Sequence, residues 1–251
     1  MGYRGRGPPK TTASMYKLSY NTKREYKYIK DILRTLSGTG VVTKSLRIDA
    51  MAKEALVSFI RDIARRIIDL SRDLLIRSGK ATLQARDIQM AVRIELRGEL
   101  AKHAIVQGMT TLAKANPSYN AGDAEFKPPA KNAGLIVKPS YVRKQLKIAG
   151  FGRVAKMASV YFAAVLEYVL SEVLELSSNN AQSCGKTTIT SQHIFFAVSN
   201  DAELNSLCEH VTFPSAGVAS NIHAGLVSKK SKKFNPSLKI AASPADFGIT
   251  F

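Results

Sequence analysis

Gly79–Val92 reads GKATLQARDIQMAV, and Gly185–Val198 reads GKTTITSQHIFFAV. Laid together without a gap, they share Gly79/Gly185, Lys80/Lys186, Thr82/Thr188, Ile88/Ile194, Ala91/Ala197 and Val92/Val198, with Leu83/Ile189 conservative. A long segment of helical periodicity precedes each copy in the same register. One supersecondary unit has been used twice, so the two copies can pack face to face as a pseudo-symmetric pair. A single unit of roughly 80–100 residues lies near the small end for a domain with its own core, and pairing within the chain relieves that difficulty.

The flanking sequence gives the unit its plan. Tyr28, Ile29, Ile32, Leu33 and Leu36 predict a short helix over about Lys23–Leu36, ended by Ser37-Gly38-Thr39-Gly40. Ala52, Leu56, Phe59, Ile60, Ile63, Ile67, Leu70 and Leu74 form a single-sided stripe on a long helix expected over about Thr43–Arg77. The repeated segment supplies a loop and a third helix, Gln84–Val92, and a further helix starts at Gly98 and runs to about Ala115. Residues 116–132 combine Pro, Gly, Asn and mixed charge and read as a linker. The plan then recurs: a short helix near Tyr141–Ile148, a basic loop Gly150–Lys156, a long helix over about Ser159–Ala181, and a helix Ser191–Val198. Beyond Asp201–Cys208 the periodicity fails. The expected divisions are a basic disordered N-terminal tail over 1–21, a first unit over 22–116, a linker over 117–132, a second unit over 133–210 and a tail over 211–251.

The net charge of +18 is uneven: residues 1–116 carry 23 Lys and Arg against 10 Asp and Glu, and residues 117–251 carry 14 against 9. An excess of this size suits a polyanion and argues against an enzyme for small neutral substrates. Cys184 and Cys208 have neither metal-like spacing nor the number for a disulfide framework. Glu167, Glu172 and Glu175 interrupt the best candidate for a membrane span, so no membrane role is expected. His103, His193, His210 and His223 lie on different elements with no nucleophile turn, phosphate loop or metal spacing among them. No catalytic residue, metal or cofactor is therefore expected.

Short helix, loop, long helix, loop, short helix, made twice, resembles the plan of the histone fold. Ala91-Val92-Arg93 and Gly98-Glu99-Leu100-Ala101-Lys102-His103-Ala104 resemble a 2B-type core histone. Val160–Tyr168, Asn200–Asn205, Val211-Thr212, Gly217-Val218 and Asn221-Ile222 resemble a 2A-type one. The resemblance covers roughly 22–116 and 133–230. It implies an all-α protein with two histone folds in one chain, forming an intramolecular handshake pseudo-dimer. A fused 2B–2A doublet in this order is a habit of certain giant DNA viruses.

The resemblance implies a nucleosome-forming protein that wraps double-stranded DNA without sequence specificity and pairs with a 3/4-type histone pair or doublet. It would act in chromatin, in a nucleus or viral factory, and could be packaged in a virion. The family's geometry would set Gly38–Thr43 near Cys184–Thr188, and Gly150–Lys156 near Ser78–Thr82. By position, the family's DNA contacts fall on Lys23, Arg24, Thr43, Lys44, Lys80, Thr82, Lys144, Lys147, Arg153, Lys186 and Thr187. In histone octamers, arginines enter the minor groove without base-specific contacts. Three departures from that pattern imply a looser grip: Thr188 and Lys80 stand where the second loops carry arginine, and Tyr141 stands where another arginine is usual.

Glu167, Glu172 and Glu175 fall within roughly 140° on one helix face. With Glu99, Asp201 and Glu203 they match the 2A-type acidic patch, which implies a docking site for arginine-anchor peptides. Two acidic positions of that patch are lost, to Ala202 and Gln107. Val211, Thr212, Gly217, Val218, Asn221 and Ile222 resemble the docking segment that lies against 3/4-type histones. The rival reading is a histone-fold transcription-factor-like scaffold, which would share fold and repeat; the acidic patch and the docking-like tail favour packaging.

Overall fold

The computed structural model describes residues 21–40, 46–115, 134–209, 211 and 216. The first unit begins with α1 (Thr22–Gly38), whose N-cap Asn21 accepts the Arg24 N–H at 3.0 Å. A two-residue strand, β1 (Arg47–Ile48), leads into α2 (Ala50–Arg77), and β2 (Thr82–Leu83), α3 (Ala85–Glu95) and α4 (Gly98–Ala115) follow. The second unit consists of α5 (Pro139–Ile148), β3 (Arg153–Val154), α6 (Lys156–Ser183), β4 (Thr188–Ile189), α7 (Ser191–Asn200) and α8 (Ala202–Leu207). The displacement that carries Gly79 to Gly185 also carries β1 onto β3, α2 onto α6 and β2 onto β4 at both ends. The repeat is therefore longer than its sequence identities.

The handshake expected from the resemblance is present. β1 pairs in parallel with β4, Arg47 opposite Thr188 and Ile48 opposite Ile189. β2 pairs in parallel with β3, Thr82 opposite Arg153 and Leu83 opposite Val154. Each unit's first loop is thus bonded to the other unit's second loop. These strands and α8 escaped the sequence pattern, because two residues carry no periodicity and the hydrogen-bonding partner lies in the other unit. The long helix expected from Thr43 begins only at Ala50: Asp49 caps it by accepting the Met51 N–H at 3.3 Å, after β1 has paired. α8 is capped in the same way, with the Leu204 N–H donating to Asp201 Oδ1 at 2.7 Å.

The core is continuous between the units. α2 buries one face, Ala52, Leu56, Phe59, Ile63 and Ile67, widened by Val57, Ala64, Ile68 and Leu75. α6 is different: Ala158 through Leu166 are all buried in one unbroken run. A helix buried on every side is a central core helix. By length and composition α6 could cross a membrane, but here α4, α5, α7 and α3 enclose it. α4 comes so close that a Cβ on Gly108 would stand 2.4 Å from the Tyr161 ring. Only glycine fits at that crossing.

A polar staple crosses from unit to unit inside this apolar setting. The buried Glu25 carboxylate pairs with the Arg61 guanidinium and accepts the Tyr141 hydroxyl at 2.9 Å. The Tyr141 oxygen in turn accepts the Asn21 N–H at 3.2 Å. The Tyr141 ring packs edge-on to Tyr28 at 6.1 Å, and the Arg24 guanidinium lies 5.6 Å from its centroid. α1, α2 and α5 are tied at one point. Removing the hydroxyl leaves a buried carboxylate short of a donor, so Tyr141→Phe is expected to lower unfolding free energy by about 1.5–3 kcal/mol. An unchanged denaturant midpoint would show that the hydroxyl contributes nothing.

Candidate nucleic-acid interface

In a strand, successive side chains point to opposite faces. At the first junction Ile189 points inward and is fully buried, which leaves Arg47 and Thr188 side by side on the outer face, Arg47 exposed. At the second junction Leu83 and Val154 point inward, leaving Thr82 and exposed Arg153 outward. Each junction therefore presents one arginine and one threonine drawn from different units. Lys186 and Thr187 are exposed beside the first, and the Arg47 N–H is bonded to the Thr187 carbonyl at 2.9 Å. Lys80 stands beside the second, where its Nζ donates to Asp87 Oδ1 at 2.9 Å and so has part of its charge answered locally.

Lys23 and Arg24 are exposed on α1, and Lys144 and Lys147 are exposed on α5. Thr43 and Lys44 lie outside the described residues. Sequence reasoning missed Arg47, Lys27, Lys30 and Arg34. The last three continue from Lys23 at helical spacing along one side of α1, around a shallow groove with Tyr26 and Asp31. Arg47 was detectable: carrying the repeat upstream without a gap sets Arg47-Ile48 against Arg153-Val154. Tyr141 does not weaken a basic surface as expected, because it is buried in the Glu25 staple. Burial, with the nearby Glu25 charge adding to it, holds its hydroxyl well above the usual tyrosine range.

The acidic residues divide into two groups. Glu167 does not join the others as its helical angle suggested: its carboxylate accepts the Ile136 and Val137 N–H groups at 2.8 and 2.9 Å, at the entry to α5. Burial raises its pKa against the pull of those two bonds. Glu172 is raised chiefly by burial; the Tyr168 hydrogen bond opposes this, and the Glu175 and Asp201 charges add to it. Glu203 accepts the Glu99 and Leu100 N–H groups at 2.7 and 2.6 Å, capping α4 from the other unit. Exposed Glu99 bonds Lys102 at 2.6 Å, which holds its carboxyl below the usual range. Glu172, Glu175, Asp201 and Glu203 thus share one electrostatic neighbourhood around Tyr168 and α8. His193, buried, accepts the Thr190 N–H on Nδ1 at 3.1 Å and caps α7.

Of the docking-like segment, Val211 packs against the core and its N–H donates to the Cys208 carbonyl at 2.8 Å. Thr212, Gly217, Val218, Asn221 and Ile222 lie outside the described residues. Cys184 and Cys208 are free thiols, and the described residues hold no cluster suited to a metal ion.

These features define a basic, two-unit handshake protein whose loops meet in pairs, each pair offering an arginine and a threonine outward. Residues 202–234 match the family described as the C-terminus of the 2A-type core histone. Histone H2B.v1 of Dictyostelium discoideum is 33% identical over 210 residues, covering 77% of this chain and 89% of that protein. Among solved structures, the crystal structure of the histone from Methanopyrus kandleri has a TM-score of 0.42 and 20% identity, covering 69% of this chain and 92% of that one. The chain belongs to the histone family, and is accordingly a structural protein of DNA packaging rather than an enzyme.

Gly98 offers a local test of the contact between units. Its φ is +64°, and a Cβ there would stand 1.9 Å from Glu203 Oε1. Gly79 has nearly the same φ, +63°, but open space around it. Alanine at either position should cost about 1–2 kcal/mol of backbone strain. Only Gly98→Ala should also expel the Glu203 cap and so lower stability further than Gly79→Ala. Equal losses in denaturant titrations would refute the cap.

Proposed function

We propose that this chain is a fused 2B–2A histone doublet, the first unit 2B-type and the second 2A-type, that wraps double-stranded DNA without reading its sequence. The observation that supports this most directly is the pair of junctions, Arg47–Thr188 and Arg153–Thr82, with Lys186, Thr187 and Lys80 beside them. Guanidinium groups, hydroxyls and backbone amides at such loops suit phosphates, which position a duplex without specifying its sequence. Lys23, Arg24, Lys27 and Lys30 on α1, and Lys144 and Lys147 on α5, extend the cationic surface; Thr43 and Lys44 are assigned to it by position. The match of residues 202–234 to the C-terminus of the 2A-type histone supports reading Val211, Thr212, Gly217, Val218, Asn221 and Ile222 as a docking segment for a 3/4-type histone pair or doublet. Glu99, Glu172, Glu175, Asp201 and Glu203 form the docking surface for arginine-anchor peptides, without Glu167. The place of action is chromatin, in a nucleus or viral factory, with packaging into a virion as a further part of this reading.

Nuclease digestion tests the whole reading, after the chain is mixed with a 3/4-type histone pair and random-sequence DNA. A discrete protected band that requires both components is expected. Protection by this chain alone would overturn the docking role, and strong preference for one sequence would favour the transcription-factor-like scaffold. At the residue level, Arg47→Ala and Arg153→Ala should each reduce the slope of log affinity against log salt by about 0.9, one phosphate contact's worth. Slopes equal to the unsubstituted chain's would remove both arginines from the interface.

A further inference from the structure

The two second loops are built alike except at one capping residue, and that difference concerns a proton. In the first unit the Gln84 N–H donates to Asp87 Oδ2 at 2.9 Å, while Asp87 Oδ1 holds Lys80. In the second unit the same sequence displacement puts His193 at the place of Asp87 and Thr190 at the place of Gln84. The Thr190 N–H donates to His193 Nδ1 at 3.1 Å, and Lys186 stands where Lys80 does. One loop is therefore closed by a carboxylate that attracts its lysine, the other by an imidazole that can accept the amide only while Nδ1 is unprotonated.

We propose that His193 makes the Lys186–Thr188 loop acid-sensitive, so that protonation releases this loop while the Lys80–Thr82 loop stays closed. This rests on the reading of these loops as the DNA-facing ones and adds a means of regulating one of them. The surroundings favour release over accommodation of the charge. Lys186 is the charged group that acts on the ring, and it repels an imidazolium. From α6 the neighbours are uncharged: Asn180, whose Nδ2 donates to the His193 carbonyl at 3.5 Å, and Cys184, which bonds Asn180 Oδ1 at 3.8 Å. At the β1–α2 corner the Asp49 carboxylate is occupied by the Met51 N–H, and before α8 the Asp201 carboxylate is occupied by the Leu204 N–H. On protonation Nδ1 becomes a donor and turns to the Thr190 hydroxyl, also 3.1 Å away, leaving the Thr190 amide without its acceptor.

The sign follows from the direction of the shift. Burial, then Lys186, lowers the folded-state pKa of His193 below the ordinary 6.5. The closed loop binds fewer protons than the opened one, so closure weakens as pH falls below about 6.5 and is fully favoured above it. The first unit's loop has no imidazole at the corresponding place.

The experiment is amide hydrogen exchange of the full chain between pH 7.5 and 5, corrected for intrinsic exchange, comparing Thr190 with Gln84 as internal control. Protection of Thr190 is expected to fall by about tenfold relative to Gln84, the usual order for loss of a cap. His193→Asp, which copies the Asp87 arrangement and offers Lys186 an anion, should abolish the difference. Parallel behaviour of the two amides, or a difference that persists in His193→Asp, would overturn the proposal. DNA binding at the two pH values is a separate arm: no DNA binding at either pH would defeat the reading of the loops and leave the exchange result standing.

Discussion

Everything else in this molecule depends on α6 being enclosed on all sides. A helix in which Ala158 to Leu166 are consecutively buried cannot be satisfied by the short helices of its own unit. It needs α4 and α3 from the other unit, which together cover the side that α5 and α7 leave open. The two halves therefore form one cooperative core, and joining them in one chain removes the concentration dependence that a pair of separate chains would have. The strands are too short to contribute much energy. What they set is register, and register places Arg47 beside Thr188 and Arg153 beside Thr82.

The pseudo-symmetry is real in the backbone and broken in the side chains, and the breaks follow from α4. Only the first unit carries this long additional helix. It lies across α6, with Gly108 against Tyr161, so α6 has no solvent face to keep polar. α2 carries no such cover and stays amphipathic, with Arg61, Arg66 and Arg72 on its outer side. Those arginines become cross-links: Arg61 to Glu25, Arg66 to Glu95 and to the Leu207 carbonyl at 2.9 Å, and Arg72 to the Ala149 carbonyl. Much of the basic excess of the first unit is thus structural. The charge left for a polyanion is concentrated at the junctions and on α1 and α5.

The plan of the fold was legible because its signals are local: helical stripes, Gly79 and Gly185 at the turns, and a repeat that needs no gap. The order of contacts between units came from the family resemblance, and the pairing of the strands bears it out. What stayed hidden was set by distant partners. Glu167 shares a helix face with Glu172 by angle, yet the chain entering α5 passes close enough to take its carboxylate. Tyr141 reads as a surface position until α1 delivers Glu25 to it. Arg47 is readable only when the repeat is carried upstream of α2, because the identities that mark the repeat lie at Gly79–Val92 and the strand itself has no local signal.

The acidic group in so basic a protein is explained in part by backbone chemistry alone. Asp201 and Glu203 hold the N-termini of α8 and α4, where free N–H groups and the helix dipole favour a negative charge. Both carboxylates would be stabilising there with no partner in view. Glu172 is not explained in this way: among the described residues it caps no helix, and burial and neighbouring acids hold its proton affinity up. Such a group is poorly solvated, and an arriving guanidinium would relieve its repulsion with Glu175 and Asp201 at once. Asp201 and Glu203 are already immobilised as caps, so little side-chain entropy remains to be lost on docking. The caps and the docking surface are then one arrangement: the helix ends order two of the acids, and Glu172, half-buried beside them without a cap to make, is the one whose charge a docked cation would complete.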